Sequence, residues 1–222
     1  MRKNRFHITI LSDKNSWKNP HLQALATSLK KKGHTANLIH YPKKVKRGDI
    51  LFLIGLTKLI PPEILGRNRH NIVVHESALP KGRGWSPLSW QILEGRNKIP
   101  ISLCEAANKV DSGVVYLRKT LKLKGHELAP EWRLIAGNKI VSLVHQFVKQ
   151  FPRIGKKGQI QKGKATYYKR RTPEDLELNP RKSLASQFPM LRIADNERYP
   201  AFFKWRKRRY RLKVEREERF SS

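Results

Sequence analysis

The chain has 222 residues, 38% of them hydrophobic, enough for one domain with a sizeable core plus a small appendage. Its single cysteine, Cys104, excludes an internal disulfide and any cysteine-built metal site, and no apolar run reaches the roughly 18 residues of a membrane span. The 48 lysines and arginines against 17 acidic residues give a formal net charge of +31, a field that draws phosphates, polyanionic substrates or nucleic acid without choosing among them.

The basic start, Met1 to Arg5, is followed by a short β-rich run over 6–11 rather than by the long apolar stretch of a signal peptide, so a cytoplasmic setting is expected. Pro20 opens a helix in which Leu22, Leu25, Ala26 and Leu29 recur at helical spacing up to Gly33. Strands are predicted over 36–41, 49–54 and 71–75, the middle one apolar on both faces as a buried parallel strand should be. Pro61 and Pro62 open a short helix between the last two, closed by Gly66. This rhythm predicts a Rossmann-like, mostly parallel α/β sheet flanked by helices, with ligands at the carboxyl ends of its strands.

Further on, a helix is predicted over 87–93 and strands over 99–103 and 114–123, with a turn at Asp111-Ser112-Gly113. A long helix is predicted over 131–151, with Leu134, Ile135, Val141, Val144, Phe147 and Val148 as its apolar residues. The expected organisation is a main domain over 1–153, a Lys/Gly-rich linker over 154–163, and a short α+β extension over 164–222. That extension holds a strand at 166–168, a helix near 183–191 and an aromatic, basic hairpin over 201–214. Cys104 reads as a small buried hydrophobe on a strand.

Three clusters concentrate groups able to do chemistry: His75-Glu76-Ser77-Ala78-Leu79-Pro80 with the Gly82, Gly84, Pro87 and Trp90 that follow; Asp111-Ser112-Gly113; and Arg170-Arg171-Thr172-Pro173-Glu174-Asp175. In order and spacing they resemble 10-formyltetrahydrofolate-dependent formyltransferases. The first is similar to that family's His-x-Ser-x-Leu-Pro loop, the second to its Asp-x-Gly turn. The third is similar to the Arg-x-Pro-Glu-Asp segment after the catalytic domain in methionyl-transfer-RNA formyltransferases and nucleotide-sugar N-formyltransferases. The resemblance implies a catalytic domain over 1–153, 10-formyltetrahydrofolate as formyl donor, no metal, and His75 and Asp111 as the catalytic pair.

Elementary chemistry is consistent with that. Formyl transfer to an amine passes through a tetrahedral oxyanion, which needs a donor, and the amine must lose a proton, which needs a base. His75 at a strand's carboxyl end is the expected donor, and Asp111 the carboxylate that orients it or takes the proton. Without the family pattern, a strand-end histidine is more often a cap, and an Asp-Ser-Gly turn is only turn chemistry. Leu79, Pro80, Gly84 and Gly113 are expected to shape the substrate or cofactor loops. Asn71 and Ser77 stand as candidate assistants at the oxyanion or substrate, Ser77 with a plain loop role beside it. Glu76 is expected to be solvated, and Trp90 and Pro87 to pack. Arg170, Arg171 and Glu174 are candidates for orienting the substrate, against a structural ion-pair role.

One position departs from the family: where it has an oxyanion-binding asparagine two residues before the histidine, this chain has Val73. Asn71, two residues further back on the same face, lies a further 6.6 Å or so away. For the acceptor, the short extension resembles the endings of nucleotide-sugar N-formyltransferases, whereas the charge favours transfer RNA. A nucleotide-linked amino sugar is the expected acceptor, with transfer RNA, or a folate- or nucleic-acid-binding relative without activity, as alternatives. The tail aromatics Tyr199, Phe202, Phe203, Trp205 and Tyr210 are expected to form a small β-core.

Overall fold

The computed structural model describes residues 4–217. Strand β1 (His7–Leu11) leads into α1 (Asn19–Lys31), which starts at Pro20 and ends at Gly33, whose φ of +91° suits glycine. Then come β2 (Thr35–Ile39), β3 (Gly48–Leu53), the single-turn α2 (Pro62–Leu65), β4 (Asn68–His75), the two-residue β5 (Arg83–Gly84) and α3 (Pro87–Leu93). Strands β6 (Lys98–Glu105) and β7 (Val115–Lys122) precede the long α4 (Ala129–Gln150). The last part holds β8 (Tyr167–Tyr168), β9 (Glu177–Leu178), α5 (Leu184–Ile193) and the hairpin β10 (Ala201–Trp205) and β11 (Arg208–Leu212).

The main sheet runs β2-β1-β3-β4-β6-β7. Its first four strands are parallel, while β6 pairs antiparallel with β4 and β7 antiparallel with β6. The parallel rhythm of the first half therefore stops at β4. After β1 the chain leaves to one side for β2 and returns on the other for β3, so the strand order reverses beside β1, and ligands of such sheets sit at the carboxyl ends of strands at that reversal.

Strand β3 is buried on both faces. Ile50 and Phe52 enter the larger core under α1 and α4, and Leu51 and Leu53 a smaller cluster with Ile64 of α2. The buried stripe of α4 is Trp132, Ala136, Ile140, Leu143, Val144 and Phe147. Leu134 and Ile135 do not belong to it: Leu134 lies two residues from Trp132, on the far side of a 3.6-residue turn, and is 57% exposed.

The C-terminal part is welded to the same core. Leu191, Ile193, Ala194 and Ala201 join it, and the Trp132 indole donates to the Arg192 carbonyl at 2.8 Å. Arg192 is buried and meets the Glu127 carboxylate at 3.4 Å. Burial pushes Glu127 up, but the Lys124 and Gly125 amides and the Arg192 guanidinium outweigh it and hold the carboxyl below its ordinary range. Its contribution is therefore present above the ordinary carboxylate range and lost as pH falls through the lowered value.

The hairpin aromatics divide: Phe202 is buried and Phe203 stacks on Tyr210 at 5.3 Å, but Tyr199, Trp205 and Tyr210 are exposed rather than forming a closed β-core.

Two stability outcomes follow from this packing. Phe147→Ala, fully buried against Phe52, Tyr116 and Phe151, should cost about 3–5 kcal/mol in urea unfolding, and Leu134→Ala less than about 0.5. Glu127→Gln should flatten the loss of stability with falling pH, read as melting temperature across the acid range.

Candidate functional site

A chamber of about 470 Å³ opens at the carboxyl ends of β1, β3 and β4. One end is apolar: Leu53, Leu56, Ile60, Leu65, Val73 and Ala106, with His75 and Asp111 at its edge. The other end is built by the loop after β1, the start of α4 and the approach to β10, and presents Trp17, Lys18, Trp132, Arg133, Arg198 and Tyr199. Arg198 ties that approach down by donating to the Asn15 carbonyl at 2.8 Å. Trp85 stands at the mouth, 40% exposed, its indole donating to the Thr57 carbonyl at 3.3 Å.

His75 ends β4 and is 5% exposed. Its Nε2 lies 2.7 Å from the Gly82 carbonyl oxygen, an acceptor only, so Nε2 carries a proton. Its Nδ1 faces Asp111 Oδ2 at 3.4 Å. Acceptors thus face both ring nitrogens, and a doubly protonated ring satisfies both. The Asp111 contact is longer than a charge-assisted bond. A proton on Nδ1 is therefore available to an oxygen entering from the chamber.

Asp111 holds a φ of +50° in its turn, a costly conformation for a non-glycine residue. Several bonds impose it. The Gly84 amide donates to Asp111 Oδ2 at 3.0 Å, and the Gln161 side chain donates to the carbonyls of Asp111 and Gly113 at 2.7 and 2.8 Å. Gln161 Oε1 accepts from Arg83 at 2.8 Å, and the Gly82 amide donates to Thr166 Oγ1 at 2.8 Å. These contacts close a ring: His75 to Gly82, through Thr166 and the strap to Gln161, to Asp111, and back to His75. The segment read as a linker is that strap. Gln159 pairs with Val115 through both backbone bonds, and β8 pairs with β5. Two glycines make the ring possible. Gly84, at φ +96°, lies so close to the Tyr168 carbonyl that a side chain would collide, and a Cβ at Gly113 would overlap the Glu105 carbonyl.

His75, Asp111 and Gly84 meet at the chamber, whereas the other candidates do not line it. The Asn71 amide is spent on the Leu65 carbonyl at 3.1 Å, one step down β4 from the chamber. Ser77 is buried, and its carbonyl accepts from Ser102 at 2.7 Å. Leu79 is buried with its carbonyl held by Arg118 at 2.7 Å, so Leu79 and Pro80 support the loop from behind. Gly113 acts through close packing. Arg170 is exposed, and Arg171 and Glu174 also lie outside the chamber, beside a Thr172–Asp175 capping box and a Lys169–Asp175 ion pair of 3.5 Å. That segment is structural here. Glu76 is not solvated but 5% exposed, paired with Lys18 at 2.5 Å on the chamber wall. Gln161 and Lys18 carry no local sequence signal; only the folded chain brings them to the site. Cys104 is fully buried on β6, its thiol pushed well up by burial. Among the described residues, no group of three or more His, Cys, Asp or Glu could hold a metal, and no helix is long and apolar enough to cross a membrane.

Residues 11–131 match the formyl transferase family model, and the chain belongs to that family. The curated relatives it matches are methionyl-tRNA formyltransferases; that of Prochlorococcus marinus is 32% identical over 84 residues, 36% of this chain and 25% of the relative. The match thus spans about a quarter of those proteins' length. Methionyl-tRNA formyltransferase from Clostridium thermocellum superposes with a TM-score of 0.75 at 25% identity, covering 91% of this chain and 90% of that one. HypX from Aquifex aeolicus, solved with tetrahydrofolic acid, gives 0.77 at 17% identity over 93% of this chain and 37% of its own. A 4-N formyltransferase from Francisella tularensis gives 0.69 at 16% identity over 96% and 98%.

Gln161→Ala should free the Asp111 turn without unfolding the sheet. Amide hydrogen exchange at 111–113 should speed up while the amides of β1 and β3 keep their protection.

Proposed function

We propose that this chain transfers the formyl group of 10-formyltetrahydrofolate to the amine of a nucleotide-linked amino sugar, with His75 and Asp111 as the catalytic pair. The observation that carries the proposal is the His75–Asp111 contact at the edge of a chamber with one apolar and one cationic, aromatic end. The apolar end suits a flat pteridine ring, and the HypX neighbour, solved with tetrahydrofolic acid, supports a folate for this fold. The opposite end, with Lys18, Arg133 and Arg198 beside Trp17 and Tyr199, suits the phosphates and ring of a nucleotide. The 4-N formyltransferase neighbour, matched over nearly its whole length, supports a sugar amine.

The roles follow from the geometry. The amine attacks the formyl carbon, and the formyl oxygen gathers negative charge. The His75 Nδ1 proton, poised between Asp111 and the chamber, turns to that oxygen. Asp111 keeps the ring charged and accepts the proton the amine gives up. The C–N bond to the folate then breaks, the proton returns to the folate nitrogen, and a formamide and tetrahydrofolate leave. Val73 lines the chamber where a further donor would stand and offers none, so the imidazole bears the oxyanion at that position.

The direct test incubates the protein with 10-formyltetrahydrofolate and a panel of nucleotide-linked amino sugars, and separately with methionyl-tRNA, and reads the mass gain of one formyl group. A gain on a sugar supports the proposal. A gain confined to methionyl-tRNA replaces the acceptor, and none on any acceptor overturns the enzyme. His75→Ala and Asp111→Asn should each lower kcat by about 10²–10³-fold with tetrahydrofolate affinity little changed. Val73→Asn, which places an amide on the chamber wall, should raise kcat, at most by about the same factor.

A further inference from the structure

The wall facing the His75–Asp111 pair carries a second acid–base pair that the chemistry above does not use. Lys18 stands at the start of α1 and is 8% exposed; Glu76 follows His75 and is 5% exposed. Lys18 Nζ lies 2.5 Å from Glu76 Oε1, and both residues line the chamber. Their surroundings fix them. The Glu76 carbonyl accepts from Gln91 at 2.6 Å, Lys18 Nζ lies 5.1 Å from the centre of the Trp17 ring, and a Cβ at Gly55 would press on the Lys18 stem.

A pair buried this deeply does little for stability, because removing two charges from water offsets most of their attraction. This one is also incompletely satisfied. Glu76 Oε1 has no aligned hydrogen-bond donor among the described residues, the Lys18 contact being close but poorly directed. An under-served carboxylate oxygen and an ammonium group, side by side on a cavity wall, form a donor–acceptor couple seeking its complement. The complement is a ligand with N–H donors next to an oxygen acceptor.

We infer that Lys18 and Glu76 recognise the reacting end of the acceptor as a vicinal amino alcohol, Glu76 accepting from the amine and Lys18 donating to the hydroxyl on the neighbouring ring carbon. The inference rests on the proposed transfer to an amino sugar. It separates the labour of the two walls: His75 and Asp111 act on the formyl group, while Glu76 and Lys18 hold the nucleophile across from it. It also explains the carboxylate directly beside His75, on the side of the strand end opposite Asp111. A hydroxyl in place of the amine has one donor fewer for Glu76 and binds more weakly.

The test is calorimetric binding of two probes, dTDP-4-amino-4,6-dideoxyglucose and dTDP-6-deoxyglucose, which carries a hydroxyl at the amine position. Wild type should prefer the amino sugar. Glu76→Gln and Lys18→Met should each weaken its binding by about 10–100-fold, the range of one hydrogen bond to a charged group. The preference over the hydroxyl sugar should vanish in Glu76→Gln, and tetrahydrofolate should bind as in wild type. If a single variant fails to fold, the double Lys18→Met/Glu76→Gln variant, which leaves no lone buried charge, gives the same reading. Amino-sugar binding unchanged in the variants, with only the melting temperature lowered, overturns the inference and leaves the sugar proposal standing. No binding of either sugar to wild type overturns both. Tetrahydrofolate binding and formylation of methionyl-tRNA in that same preparation would then show that formyl transfer itself survives.

Discussion

One oxygen of Asp111 does two things at once. Oδ2 accepts the Gly84 amide and faces His75 Nδ1, so the loop after β4 and the turn between β6 and β7 hold each other at a single point. The arrangement costs a left-handed backbone at Asp111 and needs two glycines where side chains would collide. It persists because Gln161, Arg83 and Thr166 fix both loops from outside. A histidine and a carboxylate from strands distant in sequence are thus held in one relative position, which electrostatic stabilisation of a transient oxyanion requires.

The rest of the molecule serves that junction. The parallel strands β1, β3 and β4 bring their carboxyl ends together, and the antiparallel β6 and β7 deliver the Asp111 turn to the same edge. The C-terminal part is a wall of the site and not an ornament, since Arg198 and Tyr199 close the chamber while α5 is fastened through Trp132 and Arg192. Charge is graded within the chamber, from aliphatic beside Val73 to cationic beside Arg133 and Arg198. The net +31 of the chain adds attraction for anions at longer range.

Much of this was legible in the sequence, and the residues show why. Helical spacing located α1, and the apolar run over 49–54 marked a strand buried on both faces. The motif order brought out His75 and Asp111, which do meet in space. What failed were statements that depend on partners far away in the chain. Glu76 looked like any polar loop residue because nothing local announces Lys18, 58 positions earlier. Leu134 and Ile135 were apolar and helical, yet the α4 stripe is fixed by Trp132 and Phe147, whose partners lie in other elements. Gln161 sat in a Lys/Gly-rich stretch that composition marks as a linker, and only its bonds to the Asp111 turn reveal a strap. Asn71 had the right face of the strand but the wrong level along it. Arg170, Arg171 and Glu174 followed a recognisable motif into a region where they have no access to the chamber.

The most direct check is a crystal structure of the protein soaked with tetrahydrofolate. The pteridine ring should occupy the apolar end beside Val73 and Leu65, with the formyl-bearing nitrogen of the folate pointing at the gap between His75 Nδ1 and Asp111 Oδ2, and the Gln161 bonds intact. A folate bound elsewhere, or one whose reacting nitrogen faces away from His75, would contradict the assignment of this junction as the place where the formyl group is transferred.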